Sequence, residues 1–141
     1  MKRLLWVPLL LISCQPAFAE IDLNIIEMIE SSGNPNAFNR HSGALGAFQI
    51  TKVALLDFNQ ETGARIAFKS LKDPALSSHI AFWMLNDRIP QILRNKGYKP
   101  TLESILAGYN CGFRKSCFDH RQPKETLEYI KKYRRLKNNS K

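Results

Sequence analysis

The sequence predicts an all-α domain, and three observations support this prediction. Apolar residues recur at helical spacing in several segments, as Leu102, Ile105 and Tyr109 show. Strong helix-start signals, such as Asp73 followed by Pro74, precede such segments. Alternating runs of apolar and polar residues, which are typical of strands, are scarce.

The first predicted helix is a run rich in Ile that begins near Ile21 and ends at Glu30. A cluster of Ser, Gly, Asn and Pro at residues 31–36 then stops it. Residues 44–58 follow a polar turn and have Gly43 and Gly46 at their start. This pattern predicts a loop that runs into a second helix.

The middle of the chain predicts a third helix that begins with Asp73 as the N-cap and Pro74 in the first turn. Pro90 should kink or end this helix, and Gly97 should close whatever continues beyond it. Its expected apolar face consists of Leu76, Ile80, Trp83 and Met84.

The last part of the chain predicts two more helices. Thr101 caps the first of them, and a loop from residue 110 to residue 122 follows it. Pro123 opens the final helix, for which we expect an apolar face of Leu127, Ile130 and Tyr133.

The first nineteen residues have the pattern of an export signal. Lys2 and Arg3 precede a short apolar stretch at residues 4–12, and residues 17–19 form a small-x-small cleavage site. The stretch is too short to span a bilayer. Alternatively, residues 11–14 form a lipobox with Cys14 as the acylated residue. Either interpretation predicts a periplasmic protein whose single domain is 20–141, with a basic C-terminal tail.

The charge of the chain favours acidic partners. The formal net charge is +9, and residues 20–141 carry nineteen Lys and Arg against twelve Asp and Glu, or +7. Nucleic acid, anionic membrane and cell-wall glycan with peptide carboxylates all fit this balance, but export disfavours nucleic acid. Residues 131–141 contain no acidic residue. They are either a solvated helix end or a contact to an anionic membrane or wall surface.

The two cysteines of this domain, Cys111 and Cys117, are predicted to form a disulfide, because the exported compartment is oxidising. A metal site that adds His120 is the alternative. It lacks an obvious fourth ligand, and its spacing is wider than in zinc knuckles. We therefore expect no metal and no cofactor.

Glu30 is the leading candidate for chemistry. It lies in the last turn of the first helix, where the negative end of the helix dipole disfavours ionisation. Desolvation by apolar neighbours would raise its pKa further, toward that of a general acid. The alternative is an ordinary solvated Glu at a helix end.

Four segments occur in an order and at spacings that resemble the lytic transglycosylase family, whose enzymes have a goose-lysozyme-like fold. They are ESSGNPNAF at 30–38, GALGAFQI at 43–50, LAGYNCG at 106–112 and ETLEYI at 125–130. They resemble, in turn, the family's catalytic-glutamate, glycine–glutamine and tyrosine–asparagine motifs and its signature in the last helix. The resemblance implies a compact, lysozyme-like helical domain.

The sequence also departs from the family's usual pattern. Only ten residues of the exported domain precede Glu30, and the turn between Asn36 and Gly43 is one residue longer than common. Ala47 and Phe48 replace the more usual Leu-Met, and Cys111 stands where alanine is usual. A short disulfide to Cys117 would constrain this last loop.

The resemblance implies cleavage of the β-1,4 bond between MurNAc and GlcNAc in peptidoglycan. Glu30 would protonate the leaving oxygen and then take the proton of the sugar's 6-hydroxyl, which closes a 1,6-anhydro ring in place of water. Most glycosidases use two carboxylates. Asp57, Glu61 and Asp73 are the candidates for a second one, but their surroundings predict helix surface or an N-cap.

The resemblance also implies roles for other motif residues. Gln49 would bind N-acetyl or hydroxyl groups of the sugar, with Gly43 and Gly46 allowing close approach of the backbone. Tyr109 would form a hydrogen bond near Glu30 or to the N-acetyl carbonyl, although by periodicity alone it would be core. Asn110 would bind the glycan or, alternatively, fix the loop backbone. Ser32 would orient Glu30 or contact the glycan, with a capping or turn role as the alternative. Glu125 would lie behind the site or, alternatively, stabilise the first turn of the last helix.

Rival functions are a lysozyme-type peptidoglycan hydrolase, a non-catalytic module that docks a machine onto the wall, and a membrane-disrupting cationic protein. The small single domain resembles specialised transglycosylases of secretion, conjugation or pilus systems. Components of such a machine are therefore expected partners besides peptidoglycan, with peripheral membrane contact through the basic tail or lipidation.

Overall fold

The computed structural model describes residues 21–119 and 121–140, and this part of the chain is built from α-helices. Within these ranges β-structure is limited to isolated bridges between Phe38 and Leu45 and between Leu45 and Ile50. The predicted all-α class is confirmed. The helices are α1 (Leu23–Ser31), α2 (Lys52–Thr62), α3 (Pro74–Trp83), α4 (Ile89–Asn95), α5 (Leu102–Cys111) and α6 (Lys124–Asn139).

Local capping sets the bounds of α1. The side chain of Asp22 accepts a hydrogen bond from the backbone N–H of Asn24 at the start of the helix. At its end, Ser32 adopts a left-handed conformation with φ of 56°, and its N–H donates to the carbonyl of Met28. The predicted stop after Glu30 is therefore confirmed, and the Glu30 side chain lies in the last turn.

A buried loop follows, in which residues 44–48 are withdrawn from solvent. Its backbone groups are satisfied by reciprocal hydrogen bonds between Leu45 and Ile50, at 3.0 and 3.1 Å, and by the Gly46 N–H, which donates to Ala37 at 2.9 Å. The predicted loop-to-helix arrangement is confirmed, since α2 begins only after Thr51, whose side chain caps it.

Pro90 does not end the helical segment. A π-helical turn, Met84–Arg88, joins α3 to α4, and Pro90 lies in the first turn of α4. The π-helical turn changes the hydrogen-bonding register, so that the missing N–H of Pro90 falls where an amide needs no partner in its own helix. The Asp73 cap is as predicted and accepts from the N–H of Leu76 at 2.8 Å.

The expected apolar face of α3 is partly wrong. Ile80 is fully buried, but Ser77, Ala81 and Leu85 are the other fully buried residues of this segment. Leu76, Trp83 and Met84 are half-buried at the edge of the core. Ser77, Ile80 and Ala81 lie at i, i+3 and i+4, so the face of α3 that meets the core is centred on them and leaves Leu76 and Trp83 at its edges.

The last two helices begin as predicted. Thr101 and Ser104 form a reciprocal capping box at the start of α5, and α6 starts directly after Pro123. The predicted apolar face of α6 is wrong at Leu127, which is 42% exposed. The buried residues of α6 are Thr126, Tyr129, Ile130 and Tyr133.

The core lies between these helices and the buried loop. Its fully buried side chains come from every part of the described fold and include Ile26, Ile50, Leu71, Ile80, Leu85, Leu93, Ile105, Leu106 and Tyr133. Among the described residues, no helix combines the length and apolar character that crossing a membrane requires.

Gly46 should be the least replaceable glycine of the buried loop. It has φ of 87°, and a Cβ atom there would lie 2.2 Å from the backbone oxygen of Leu71. We expect Gly46→Ala to lower the free energy of unfolding by about 2 to 4 kcal/mol, because it combines backbone strain with a clash. Chemical denaturation measures this loss.

Gly63→Ala is the matched control for this substitution. Gly63 also has positive φ, at 74°, but nothing lies within 4 Å of its added Cβ. Its expected cost is about 1 kcal/mol, from the backbone alone. Equal losses for the two variants would contradict the proposed contact with Leu71.

Candidate active site

Glu30 lies at the C-terminal end of α1 beside a cavity of about 260 Å³. The side chain is partly buried. Helices α1, α5 and α6 supply the walls, so the cavity exists only because the ends of these three helices meet. Its lining residues are Ile29, Glu30, Asn110, Glu125, Glu128, Tyr129 and Lys132.

The surroundings of Glu30 raise its pKa from 4.5 to about 7. Burial is the largest cause, because it removes water from the charged form. Two contacts oppose it: the hydrogen bond from Tyr129 and the positive charge of Lys132, both of which favour the carboxylate. Near neutral pH, Glu30 therefore exists both as an acid and as a carboxylate.

Tyr129 positions this carboxyl group. Its hydroxyl donates a 2.8 Å hydrogen bond to Oε1 of Glu30. Burial and the nearby Glu30 charge raise the pKa of Tyr129 well above its usual value, so the phenol stays protonated and remains a donor. Sequence reasoning placed Tyr129 in the last-helix motif but assigned it no role. Its position in that motif is the feature of the sequence from which a role at the site could have been predicted.

Tyr109 makes a different contact from the one expected near Glu30. Its hydroxyl donates to the backbone oxygen of Phe48 at 2.8 Å. The Glu30 charge is nonetheless near enough to add to the effect of burial, and the pKa of Tyr109 is raised well above its usual value. Tyr109 thus joins α5 to the buried loop and lies close to Glu30.

The two serines after Glu30 differ in role. Ser32 is exposed and ends α1 through its left-handed backbone, which agrees with its structural alternative as a turn residue. Ser31 donates its hydroxyl to the carbonyl of Ala47 at 2.7 Å and so attaches the end of α1 to the buried loop. Sequence reasoning missed Ser31, because nothing local distinguishes it from Ser32.

Gln49 holds the same loop from within. Its side-chain amide donates to the carbonyls of Ala37, at 3.2 Å, and Gly46, at 3.0 Å. Gln49 itself has φ of 49°, an uncommon conformation for a residue other than glycine. Gly43 and Gly46 also have positive φ, at 69° and 87°. In the structure the amide nitrogen of Gln49 therefore serves the loop.

Asn110 and Glu125 both face the Glu30 cavity. Oδ1 of Asn110 accepts a 3.0 Å hydrogen bond from the hydroxyl of Thr126, which fixes the amide between α5 and α6. Glu125 is exposed in the first turn of α6. Its placement fits both a role at the site and its alternative as a stabiliser of the helix start.

A larger cavity of about 580 Å³ adjoins the Glu30 cavity at Asn110, which lines both. It is a mostly apolar groove between α2 and α5. Tyr109 and Asn110 line it together with residues 111–113, and Val53 and Leu56 of α2 are exposed along it. Asn110 is thus placed where a ligand in either cavity could contact it.

The acidic residues weighed as a second carboxylate are engaged elsewhere. Asp57 forms a two-pronged ion pair with Arg88, at 2.6 and 2.7 Å, and Glu61 contacts the same guanidinium at 3.1 Å. Asp73 caps α3. The carboxylates that share the cavity with Glu30 are instead Glu125 and Glu128, and Glu128 pairs with Lys131 at 3.0 Å.

Cys111 and Cys117 form a disulfide in the structure, which closes the loop beside the apolar groove. The two sulfurs are therefore bonded to each other and are not free to bind a metal. His120, the third member of the alternative metal site, lies outside the described residues. Across residues 21–119 and 121–140, no group of three His, Cys, Asp or Glu side chains is placed to hold a metal ion.

Comparison with known proteins identifies the family of the chain. The family model described as "Transglycosylase SLT domain" matches residues 13–131. The chain belongs to the SLT transglycosylase family. No curated protein and no solved structure matched the chain in the corresponding searches. Membership of the SLT family supports an enzyme of the peptidoglycan transglycosylase type, with peptidoglycan as its substrate.

Replacing Glu30 should stabilise the SLT domain at alkaline pH. Its pKa is about 7 in the folded protein and 4.5 as the reference value. Below pH 4.5, Glu30 is protonated in both the folded and the unfolded state, and it costs no stability. Between pH 4.5 and 7 the free energy of unfolding falls as the pH rises, and above pH 7 the loss stays constant. We expect Glu30→Gln to raise the free energy of unfolding by about 3 kcal/mol at pH 8 and to leave it nearly unchanged at pH 4.

Glu125→Gln provides the control, because Glu125 lines the same cavity but is exposed. Its effect should stay within about 0.5 kcal/mol at either pH. Urea denaturation at the two pH values measures both variants. A Glu30→Gln protein no more stable than wild type at pH 8 would show that Glu30 is not desolvated.

Proposed function

We propose that this protein is a lytic transglycosylase that cleaves the β-1,4 bond between MurNAc and GlcNAc and leaves 1,6-anhydro-MurNAc ends. The observation that carries the proposal is the state of Glu30: a partly buried carboxyl beside a cavity, held by Tyr129, with a pKa of about 7. Such a group can give up and take back a proton at neutral pH.

Two proton transfers by Glu30 complete the reaction. The protonated carboxyl gives its proton to the glycosidic oxygen as the bond from this oxygen to C1 of MurNAc breaks, and GlcNAc leaves with a free 4-hydroxyl. The resulting carboxylate then takes the proton of the MurNAc 6-hydroxyl as O6 bonds to C1. No water is consumed, and Glu30 returns to its starting form.

The positions of the other acidic groups favour this internal closure. Arg88 pairs with both Asp57 and Glu61, and Lys131 pairs with Glu128, so each of these carboxylates already has a cationic partner. The N-acetyl group of MurNAc itself then assists at C1 in place of a second carboxylate. A lysozyme-type hydrolase is the alternative, with Glu125 as the second carboxylate because it lines the same cavity.

Other motif residues are proposed to bind the glycan around Glu30. Asn110 joins the two cavities and offers its amide nitrogen, since its oxygen already accepts from Thr126. Gln49 offers the oxygen of an amide whose nitrogen is held by the loop. We assign Tyr109 to the apolar wall and Ser32 to the exposed rim. Gly43 and Gly46 shape the loop that carries Gln49, and Glu125 faces the cavity directly from the first turn of α6.

The protein is proposed to act in the periplasm after export by residues 1–19, with lipidation of Cys14 as the alternative. Both features lie outside the described residues. Partners in a secretion, conjugation or pilus machine remain a proposal that rests on the small size of the domain. No role for nucleic acid is proposed. The rival function is a wall-docking module without activity. The following experiment distinguishes it from an enzyme.

Mass spectrometry of the muropeptides released from peptidoglycan tests the reaction. We expect anhydro products, one water lighter than hydrolytic ones, from the wild type and at least about 100-fold less product from Glu30→Gln. Reducing-end products would point to a hydrolase, and binding without products would point to a docking module. Lysis that persists in Glu30→Gln would point to a membrane-disrupting protein.

The pH dependence of kcat/KM tests the role of Tyr129. Activity of the wild type should fall above about pH 7 as Glu30 loses its proton. Tyr129→Phe removes a hydrogen bond that favours the carboxylate, so this fall should move to higher pH. The remaining groups around Glu30 (Lys132, Tyr109, Glu125 and Glu128) are unchanged in this variant.

Tyr98→Phe is the control for loss of a phenol, because Tyr98 packs on Phe118 away from Glu30. Its pH profile should match that of the wild type. If Tyr129→Phe leaves the fall in kcat/KM at the same pH, or moves it to lower pH, Tyr129 does not have the role assigned to it.

A further inference from the structure

A second concave surface lies beside the Glu30 cavity on α6. It has a volume of about 340 Å³ and is lined by Glu128, Lys131, Lys132 and Arg135. Glu128 and Lys132 line both cavities, so the two surfaces are continuous. The proposed reaction places MurNAc at Glu30, and this neighbouring surface is therefore within reach of groups attached to that sugar.

The positive charges of α6 are not equally available. Lys131 pairs with Glu128, Arg134 with Glu103 and Lys137 with Asp22. Lys132 and Arg135 make no ion pair among the described residues. They lie three positions apart on one face of the helix and line the same concavity. Two cations without an ion-pair partner therefore lie next to the candidate active site.

We propose that Lys132 and Arg135 bind carboxylates of the peptide stem that peptidoglycan carries on MurNAc, an inference that rests on the proposed function. Arg135 lies six residues beyond Tyr129, the residue that contacts Glu30, or about 9 Å along the helix axis. About three residues of extended peptide span this distance. A guanidinium also matches the two oxygens of a carboxylate.

This surface fits a peptide carboxylate better than a membrane. The two cations lie in a concavity that also contains the Glu128 carboxylate. An anionic bilayer would meet this negative charge together with the cations, whereas a flexible peptide can place its carboxylate on the cations alone. Membrane attraction through these residues is therefore tested as the contrary outcome.

The binding experiment uses the Glu30→Gln variant, so that strands are not cut and the result does not depend on turnover. Its Kd is measured for glycan strands with intact stems, for strands whose stem carboxylates have been amidated, and for strands stripped of stems. Each measurement is repeated with Arg135→Gln added. Arg94→Gln, an exposed arginine on α4, is the matched control for loss of one charge.

We expect Arg135→Gln to weaken binding of strands with intact stems about threefold to fivefold, as for a solvent-exposed ion pair. Amidated and stripped strands should bind equally well with or without this substitution. Lys132→Gln should weaken stem binding similarly. Arg94→Gln should change none of the three affinities beyond a small effect of net charge.

The proposal is overturned if Arg135→Gln leaves binding of intact strands unchanged, or if it weakens all three strands alike. It is also overturned if Arg94→Gln has the same effect. Loss of binding to vesicles of phosphatidylglycerol and phosphatidylethanolamine in Arg135→Gln, without discrimination among strands, would assign the surface to a membrane instead. Failure of the reaction itself appears separately, as absence of anhydro products from the active protein.

Discussion

The contact between α1 and α6 is the constraint on which the rest of the site depends. Tyr129 donates to the Glu30 carboxyl, and at the other end of α1 the hydroxyl of Tyr133 accepts the N–H of Asp22 at 2.9 Å. Lys137 adds an ion pair to Asp22 at 3.3 Å. These contacts hold Glu30 against a helix about one hundred residues away in sequence, and this burial moves its pKa into the neutral range.

The buried loop at residues 43–50 supports the same arrangement from the other side. Ser31 attaches it to the end of α1, and Tyr109 attaches it to α5. Gly46 lies directly against the backbone of Leu71, so the loop has no space for a side chain there. A loop held at so many points keeps one fixed shape. The loop thereby fixes the end of α1, which carries Glu30, relative to α5.

Helix α6 serves both the chemistry and the recognition proposed for this protein. Its buried face carries Tyr129, which donates to the Glu30 carboxyl, and Thr126, which holds Asn110. Its exposed face carries cations, and three of them have acidic partners, whereas Lys132 and Arg135 beside the cleft have none among the described residues. Because both faces belong to one helix, Tyr129 and the positively charged surface keep a constant separation.

The sequence alone determined the helical class, most helix bounds and the importance of Glu30. Caps such as Asp73 and Thr101 act within three or four residues, so their signals are complete in the local sequence. Tertiary structure alone decided the partners of the site: Tyr129 for Glu30, and Ser31 for the loop. It also decided that Leu127 is exposed. Burial and long-range hydrogen bonds depend on which distant helices meet, and no local pattern encodes that.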